Sequence, residues 1–199
     1  MMTKTPPANV CIVQGHPHGG GKHFCHALAD AYAAGVRDSG AKVKRIDLGN
    51  MDVPLLRDPA DFATPPNAEI TAAQRAVTAC DHLVVIYPLW LGTMPAVVKA
   101  FFEQLSRANF AIAPGKSAEW PRQMLKGRSA RVIVTMGMPA AAYKLIFGAH
   151  GVRGFESGIL GMSGISPIRE TLIGGAGELT PKRAASWLSR VRRLGQLGS

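Results

Sequence analysis

Short apolar runs alternate with segments of helical length from one end of this chain to the other, and that alternation constrains its fold most. The runs are residues 9–15 (NVCIVQG), 42–48 (KVKRIDL), 82–87 (HLVVIY), 130–137 (ARVIVTMG) and 168–175 (IRETLIGG). Such runs, rich in Val and Ile and bounded by glycine or polar residues, predict strands. The second alternates polar with apolar residues and is expected nearer a sheet edge. Between them, residues 22–40 place Phe24, Leu28, Ala31, Tyr32 and Val36 near helical spacing and close on Gly40. Residues 69–81 and 95–107 predict two more helices, with Pro95 at the first helical position of the second. Thr180 followed by Pro181 opens a closing helix over 179–195. Residues 52–67 are expected as a long surface loop, and those from 138 to about 164 as a glycine- and aromatic-rich connection. Five strands alternating with about five helices imply an open parallel sheet covered on both faces. Ligands of such sheets bind at the carboxyl ends of the strands, near the point where strand order reverses. That selects residues 15–23, 87–95 and 136–151.

A chain of 199 residues that is 47% hydrophobic and 18% charged has enough material for one substantial core, and one domain over 1–199 is expected. Cys11, Cys25 and Cys80 are far apart and form no CxxC pair, which points to reduced, buried thiols and a cytoplasmic setting. The amino terminus has no apolar segment resembling a signal peptide. The most apolar window, residues 83–98, is broken by Pro88, Gly92 and Pro95, so it predicts a buried strand and not an integral membrane segment. Net charge is +10 and uneven: residues 1–99 hold 9 Lys and Arg against 8 Asp and Glu, residues 100–199 hold 14 against 5. A basic half attracts phosphate-bearing cofactors, nucleic acid or anionic surfaces. Lys182, Arg183, Arg190, Arg192 and Arg193 load the closing helix, but no interleaved aromatic platform accompanies them, and nucleic acid is not expected.

The first candidate loop packs His16, His18, His23, Cys25 and His26 around Gly19, Gly20 and Gly21. A glycine turn between a strand and a helix aims free N–H groups at an anion, and Lys22 and His23 add charge-assisted donors. The spacing fits neither GxxxxGK[ST] nor GxGxxG. His23 and His26 share a helix face, yet no second ligand pair follows, so no metal is expected. His18 and His26 are expected to be solvent-exposed. In the second loop Leu89, Trp90 and Met94 offer flat apolar surface on a stiff turn, suited to an aromatic ligand as much as to core packing. In the third, Tyr143 and His150 bring two hydrogen-bonding rings. No GxSxG elbow is present, and the acidic residues scatter without a paired-carboxylate arrangement.

Taken together, GHP after the first strand, HFC opening the helix, YPLWLGTMPAVVKAFFE and TMGMPAAAYKLIFGAHG resemble the flavodoxin-like NAD(P)H:quinone oxidoreductases, from about residue 9 to residue 175. The resemblance implies a three-layer sandwich whose five-stranded parallel sheet has the order 2-1-3-4-5. It implies a flavin, FAD or FMN, with its phosphate end over His16, His23, Phe24 and Cys25. The ring is expected against Pro88, Leu89, Trp90, Leu91 and Gly92, with Thr135, Met136, Gly137 and Met138 on the other side. Tyr143 and His150 match the catalytic pair that faces the flavin edge and the second substrate. NAD(P)H as hydride donor, a quinone-like acceptor and a homodimer are implied with them. The alternative within the same fold is a flavin-binding ancillary subunit of a potassium-efflux system. Three departures stand out: HFC replaces the family's Ser-Phe-Asn, the loop before it is longer, and Tyr143 and His150 lie further apart.

Overall fold

The computed structural model describes residues 7–115 and 120–199. Residues 1–6, which carry most of the amino terminus searched for a signal peptide, lie outside the described residues. Five parallel strands form the sheet: β1 (Asn9–Gln14), β2 (Lys42–Asp47), β3 (His82–Pro88), β4 (Ser129–Thr135) and β5 (Ile168–Ile173), in the order β2-β1-β3-β4-β5. The order reverses beside β1, and the register brings Gln14 level with Asp47 and Ile86, and Thr135 level with Pro88 and Ile173. The strand ends therefore share one edge, from which all three candidate loops leave.

Side chains alternate between two cores because successive strand residues point to opposite faces. Val10, Ile12, Val84, Ile86 and Ile133 pack under α1 (Phe24–Asp38) and α6 (Pro181–Leu197). Cys11, Val13, Leu83, Val85, Tyr87, Val132 and Val134 pack under α2 (Ala68–Thr78) and α3 (Ala96–Leu105) on the other face. Each fully buried large side chain contributes roughly 1.5–3 kcal/mol. β2, at the edge, buries little, as its alternation predicts.

Side chains cap two helix starts, and the sequence anticipates the second of them. Asn67 Oδ1 accepts the Ile70 amide at 2.9 Å, and Thr180 Oγ1 accepts the Arg183 amide at 3.3 Å. Pro95 is the N-cap of α3, one residue outside the first helical position expected for it. The long loop at 52–67 contains a 3-10 turn, Pro59–Ala63, capped by Asp58. It is pinned to α3 and the residues that follow it, where Arg107 Nε donates to the Asp61 carbonyl at 2.9 Å and the Ala108 amide to the Phe62 carbonyl at 2.8 Å.

The expected connection from 138 to 164 is instead helical. It holds α4 (Ala140–Ile146) and α5 (His150–Phe155), which runs on into a π-helical turn, Glu156–Gly161. Tyr143, Val152 and Phe155 from it complete the second core. A further short hairpin pairs Ile112–Ala113 with Arg122–Gln123. Among the described residues no helix is long and apolar enough to cross a membrane.

Candidate functional site

The first loop leaves β1 at Gly15, whose amide donates to the Ile86 carbonyl at 2.7 Å. It then folds against the turn after β2. A Cβ on Gly19 would stand 2.6 Å from the Gly49 carbonyl oxygen, so a side chain has no room there, and one on Gly21 would displace the His23 ring. His23 is the N-cap of α1 and makes no side-chain capping bond. The first amides of a helix have no carbonyl of their own to reach, so this start is open to an acceptor from outside.

Four imidazoles gather above it. The rings of His16 and His23 stack with centroids 3.8 Å apart, and His26 lies 5.5 Å from His16 and 5.7 Å from His23. His18 Nδ1 and His23 Nε2 share a hydrogen bond of 2.9 Å, and the His18 amide donates to His16 Nδ1 at 3.1 Å. Burial, followed by His23 and His26, holds His16 down to about 4, so it is neutral at pH 7. Among the described residues no group of three His, Cys, Asp or Glu is arranged to hold a metal ion.

The second loop is a tight turn. Trp90 and Thr93 exchange both backbone hydrogen bonds, at 2.9 and 3.0 Å, around Leu91 and Gly92, which have φ of 48° and 81°. Glycine suits that geometry and leucine does not. The Leu91 side chain is fully exposed and Trp90 half exposed. Leu89 ties the turn to the third loop by donating its amide to the Thr135 carbonyl at 2.7 Å. Gly137 is exposed beside it, with nothing within 4 Å of where its Cβ would be. The Trp90 ring meets His16 edge-on at 6.2 Å, so the first and second loops touch.

The structure brings His16, His23, Phe24, Pro88, Leu89, Trp90, Gly92, Thr135, Gly137 and Met138 to this edge. Three expected residues have buried side chains. The Cys25 thiol is buried and pairs with Thr135 Oγ1 at 3.3 Å, leaving its amide as the group it can offer. The Met136 side chain belongs to the core. Tyr143 is 1% exposed; its hydroxyl donates to the Gly92 carbonyl at 2.9 Å and accepts the Val152 amide at 3.3 Å. It ties the Trp90 turn to α5, whereas His150, at the start of α5, is exposed.

Two groups escaped the sequence reading. His26, expected in solvent, has both ring nitrogens buried with no partner among the described residues. Gln14 is fully buried, and both atoms of its amide are likewise unpartnered. A polar residue closing an otherwise apolar strand was the available signal. By alternation with Val10 and Ile12, Gln14 lies on the α1 face of the sheet. Between α1 and α6 runs an open cleft of about 710 Å³ lined by Lys22, His23, Phe24, Gly177, Ala184 and Leu188, among others.

Residues 8–195 match the model of a protein family described as having the flavodoxin-like fold. The chain belongs to this flavodoxin-like family. A guinea pig (Cavia porcellus) protein named NAD(P)H dehydrogenase (quinone) 1 is 25% identical over 202 residues, covering 86% of this chain and 72% of its own. Two solved structures share the fold. The NAD(P)H:quinone oxidoreductase of Methanothermobacter marburgensis superposes with a TM-score of 0.75 at 21% identity, over 95% of this chain and 98% of its own. An FMN-dependent NADH-azoreductase of Bacillus anthracis, solved with FMN, gives 0.72 at 13%, over 94% and 97%.

In this flavodoxin-like site burial raises the Tyr143 hydroxyl above its usual range, which fits a fixed tie better than a proton carrier. Tyr143→Phe is expected to lower stability by about 1–3 kcal/mol, because it strands the Gly92 carbonyl and the Val152 amide. Chemical denaturation reads that loss. In an activity assay the pH profile should keep its shape while the rate falls; a lost limb would restore Tyr143 as the relay.

Proposed function

We propose that the protein is a flavin-dependent NAD(P)H oxidoreductase that passes two electrons to a quinone or similar acceptor. The observation that carries this reading is the meeting of a glycine–histidine loop with an aromatic turn at one strand edge, His16 against Trp90. The relatives named for quinone reduction support it. The groups present suit a flavin: an uncapped helix start, a loop glycine, Gly19, packed against the Gly49 backbone, and buried polar atoms on Gln14 and His26 without a partner among the described residues.

When bound, a flavin supplies a centre that takes hydride from NAD(P)H and gives it to the acceptor. The chain does the rest. The amides of Phe24 and Cys25 would hold phosphate oxygens, with His23 and Lys22 alongside. Trp90 and Leu89 would cover one side of the ring, and the Gly137 main chain would meet its polar edge. His150 would place a proton donor at the acceptor side. Because water reaches the exposed His150 as well, His150→Gln is expected to slow turnover roughly tenfold, less than the hundredfold or more of a sequestered acid, with flavin retained.

FAD is favoured over FMN. The cleft of about 710 Å³ opens from Gly21, Lys22 and His23, where the phosphates would sit, and its walls of Ala184, Leu188 and Phe24 suit an adenosine. Leu91, Leu145, Ile146 and Phe147 are exposed apolar side chains on the second loop, α4 and its end, and a second copy of the chain would cover them in a homodimer. Sedimentation analysis tests the dimer. For the activity, the apoprotein is loaded with FAD or FMN, desalted, and treated with NAD(P)H without oxygen. Retained FAD that bleaches, and recovers its colour on adding a quinone, is expected; a protein that retains neither flavin overturns the reading.

A further inference from the structure

We propose that the outer face of α6 docks the protein on a bilayer surface that carries anionic phospholipid. The docking surface stands on the helix itself; its link to the electron acceptor rests on the flavin reading above. α6 holds Lys182, Arg183, Arg190, Arg192 and Arg193 and no acidic residue. With 3.6 residues per turn, Lys182, Arg183, Arg190 and Arg193 fall within one arc of about 100°. The opposite arc carries Leu188, Val191 and Gly195, which pack against α1. All four cations are exposed, and none has a carboxylate within ion-pair reach among the described residues. Arg192 turns aside to Asp38 at 2.7 Å. From Lys182 to Arg193 the stripe runs about 16 Å.

The helix gains nothing from this placement. Lys182 and Arg183 occupy the first turn, where the helix dipole favours acidic residues. Arg190 and Arg193, three residues apart, repel each other. What accompanies the charge sets the occupant. Leu197 continues the arc one turn beyond Arg193 and is 56% exposed, an apolar side chain that a bilayer interface takes up and a phosphate backbone does not. Trp187, the only aromatic residue of α6, packs partly buried in the α1 core, and the Arg190 guanidinium lies over its ring at 5.0 Å. It is not free to stack on bases. Ser186 and Ser189, between the cations, are too short to hold them off a flat surface. A quinone with an apolar tail dissolves in the same bilayer. The inner side of α6 lines the cleft through Ala184 and Leu188, so stripe and site share one helix.

Co-sedimentation of the full chain with phosphatidylcholine vesicles, with and without phosphatidylglycerol, tests the surface at an ionic strength of about 0.15 M. Binding is expected only with phosphatidylglycerol, and should be lost at about 1 M salt. The triple variant Arg183→Gln, Arg190→Gln, Arg193→Gln should bind about a hundredfold more weakly, at roughly fivefold per cation. The control, Arg57→Gln, Arg122→Gln, Lys126→Gln, removes three exposed cations from segments around the other core and should bind like the unmodified protein. No binding to anionic vesicles, undiminished binding by the α6 variant, or equal loss in both variants overturns the proposal while the flavin reading stands. Tighter binding of duplex DNA than of these vesicles overturns it too. The link to the acceptor has its own readout. With a long-chain quinone held in the vesicles, anionic lipid should raise the rate of the FAD-loaded protein. The α6 variant should lose that gain and still reduce a water-soluble quinone at the unmodified rate. No gain overturns the link. Vesicle binding that the α6 variant loses, in a protein that reduces neither quinone, upholds the docking surface and removes the flavin reading.

Discussion

Gly35→Ala is expected to lower stability by about 3 kcal/mol, the upper end of what overpacking a tight contact costs. A Cβ at Gly35 would lie 1.9 Å from the Arg192 carbonyl oxygen and 3.0 Å from the Gln196 amide nitrogen. The contact is reciprocal, since a Cβ at Gly195 would lie 2.2 Å from the Tyr32 carbonyl oxygen. Two helix backbones touch at paired glycines, and no rotamer change relieves a methyl group placed between them. α1 and α6 must separate. For a chain of this length that cost corresponds to a fall in Tm of roughly 6–12 °C. The effect should extend to ligand binding, because Ala184 and Leu188 of α6 line the cleft beside the glycine–histidine loop. Retention of FAD should therefore fall more than retention of FMN. Gly154→Ala is the control: it lies exposed in α5 with nothing within 4 Å of its Cβ and should be neutral or slightly stabilising. A Tm for Gly35→Ala within 2 °C (about 1 kcal/mol) of the unmodified protein would mean that the helices do not meet this closely.

The three central strands were legible because they are buried on both faces and so appear as apolar runs, HLVVIY above all, while β2 at the edge showed itself by alternation. The closing helix was legible from Thr180 and Pro181, whose cap is local. α4 and α5 were not. α4 is only seven residues long, and Gly151, Gly154, Gly158 and Gly161 dilute any apolar period in α5 and the π-helical turn, where glycine costs about 1 kcal/mol per helical residue relative to alanine. Tertiary contact supplies what propensity lacks: Val152 and Phe155 enter the core, and Tyr143 binds a carbonyl 51 residues away. The same long-range bond explains why the sequence could single out Tyr143 without showing the Gly92 carbonyl and Val152 amide that its hydroxyl meets. Family spacing marks the position of a ring; it does not reveal which backbone groups that ring will satisfy. His26 was misplaced for a related reason. Four histidines in a glycine turn suggest solvent, but the turn folds back over its own helix, so their rings meet one another.

Gly151→Ala is expected to reduce turnover about a hundredfold while leaving the phosphate end of the site intact. A Cβ at Gly151 would stand 2.2 Å from the Gly92 carbonyl oxygen and 2.8 Å from the Thr93 Cα, both backbone atoms of the Trp90 turn. The turn has to move by the order of an ångström, and it takes with it the Gly92 carbonyl that Tyr143 holds at 2.9 Å. Misplacement on that scale commonly costs about a hundredfold in rate, since reacting groups must be held in near-attack geometry. The first loop is separately anchored, by Gly15 on Ile86 and by Gly19 against Gly49, and should not follow. The variant should therefore bind ADP-ribose as the unmodified protein does, yet hold FAD more weakly and turn over slowly. Parallel binding curves for the two ligands, with steady-state rates, read the difference. Equal losses for ADP-ribose and FAD would mean the damage is global. Unchanged FAD affinity and rate would remove the Trp90 turn from the flavin site and leave Gly151 a matter of packing alone.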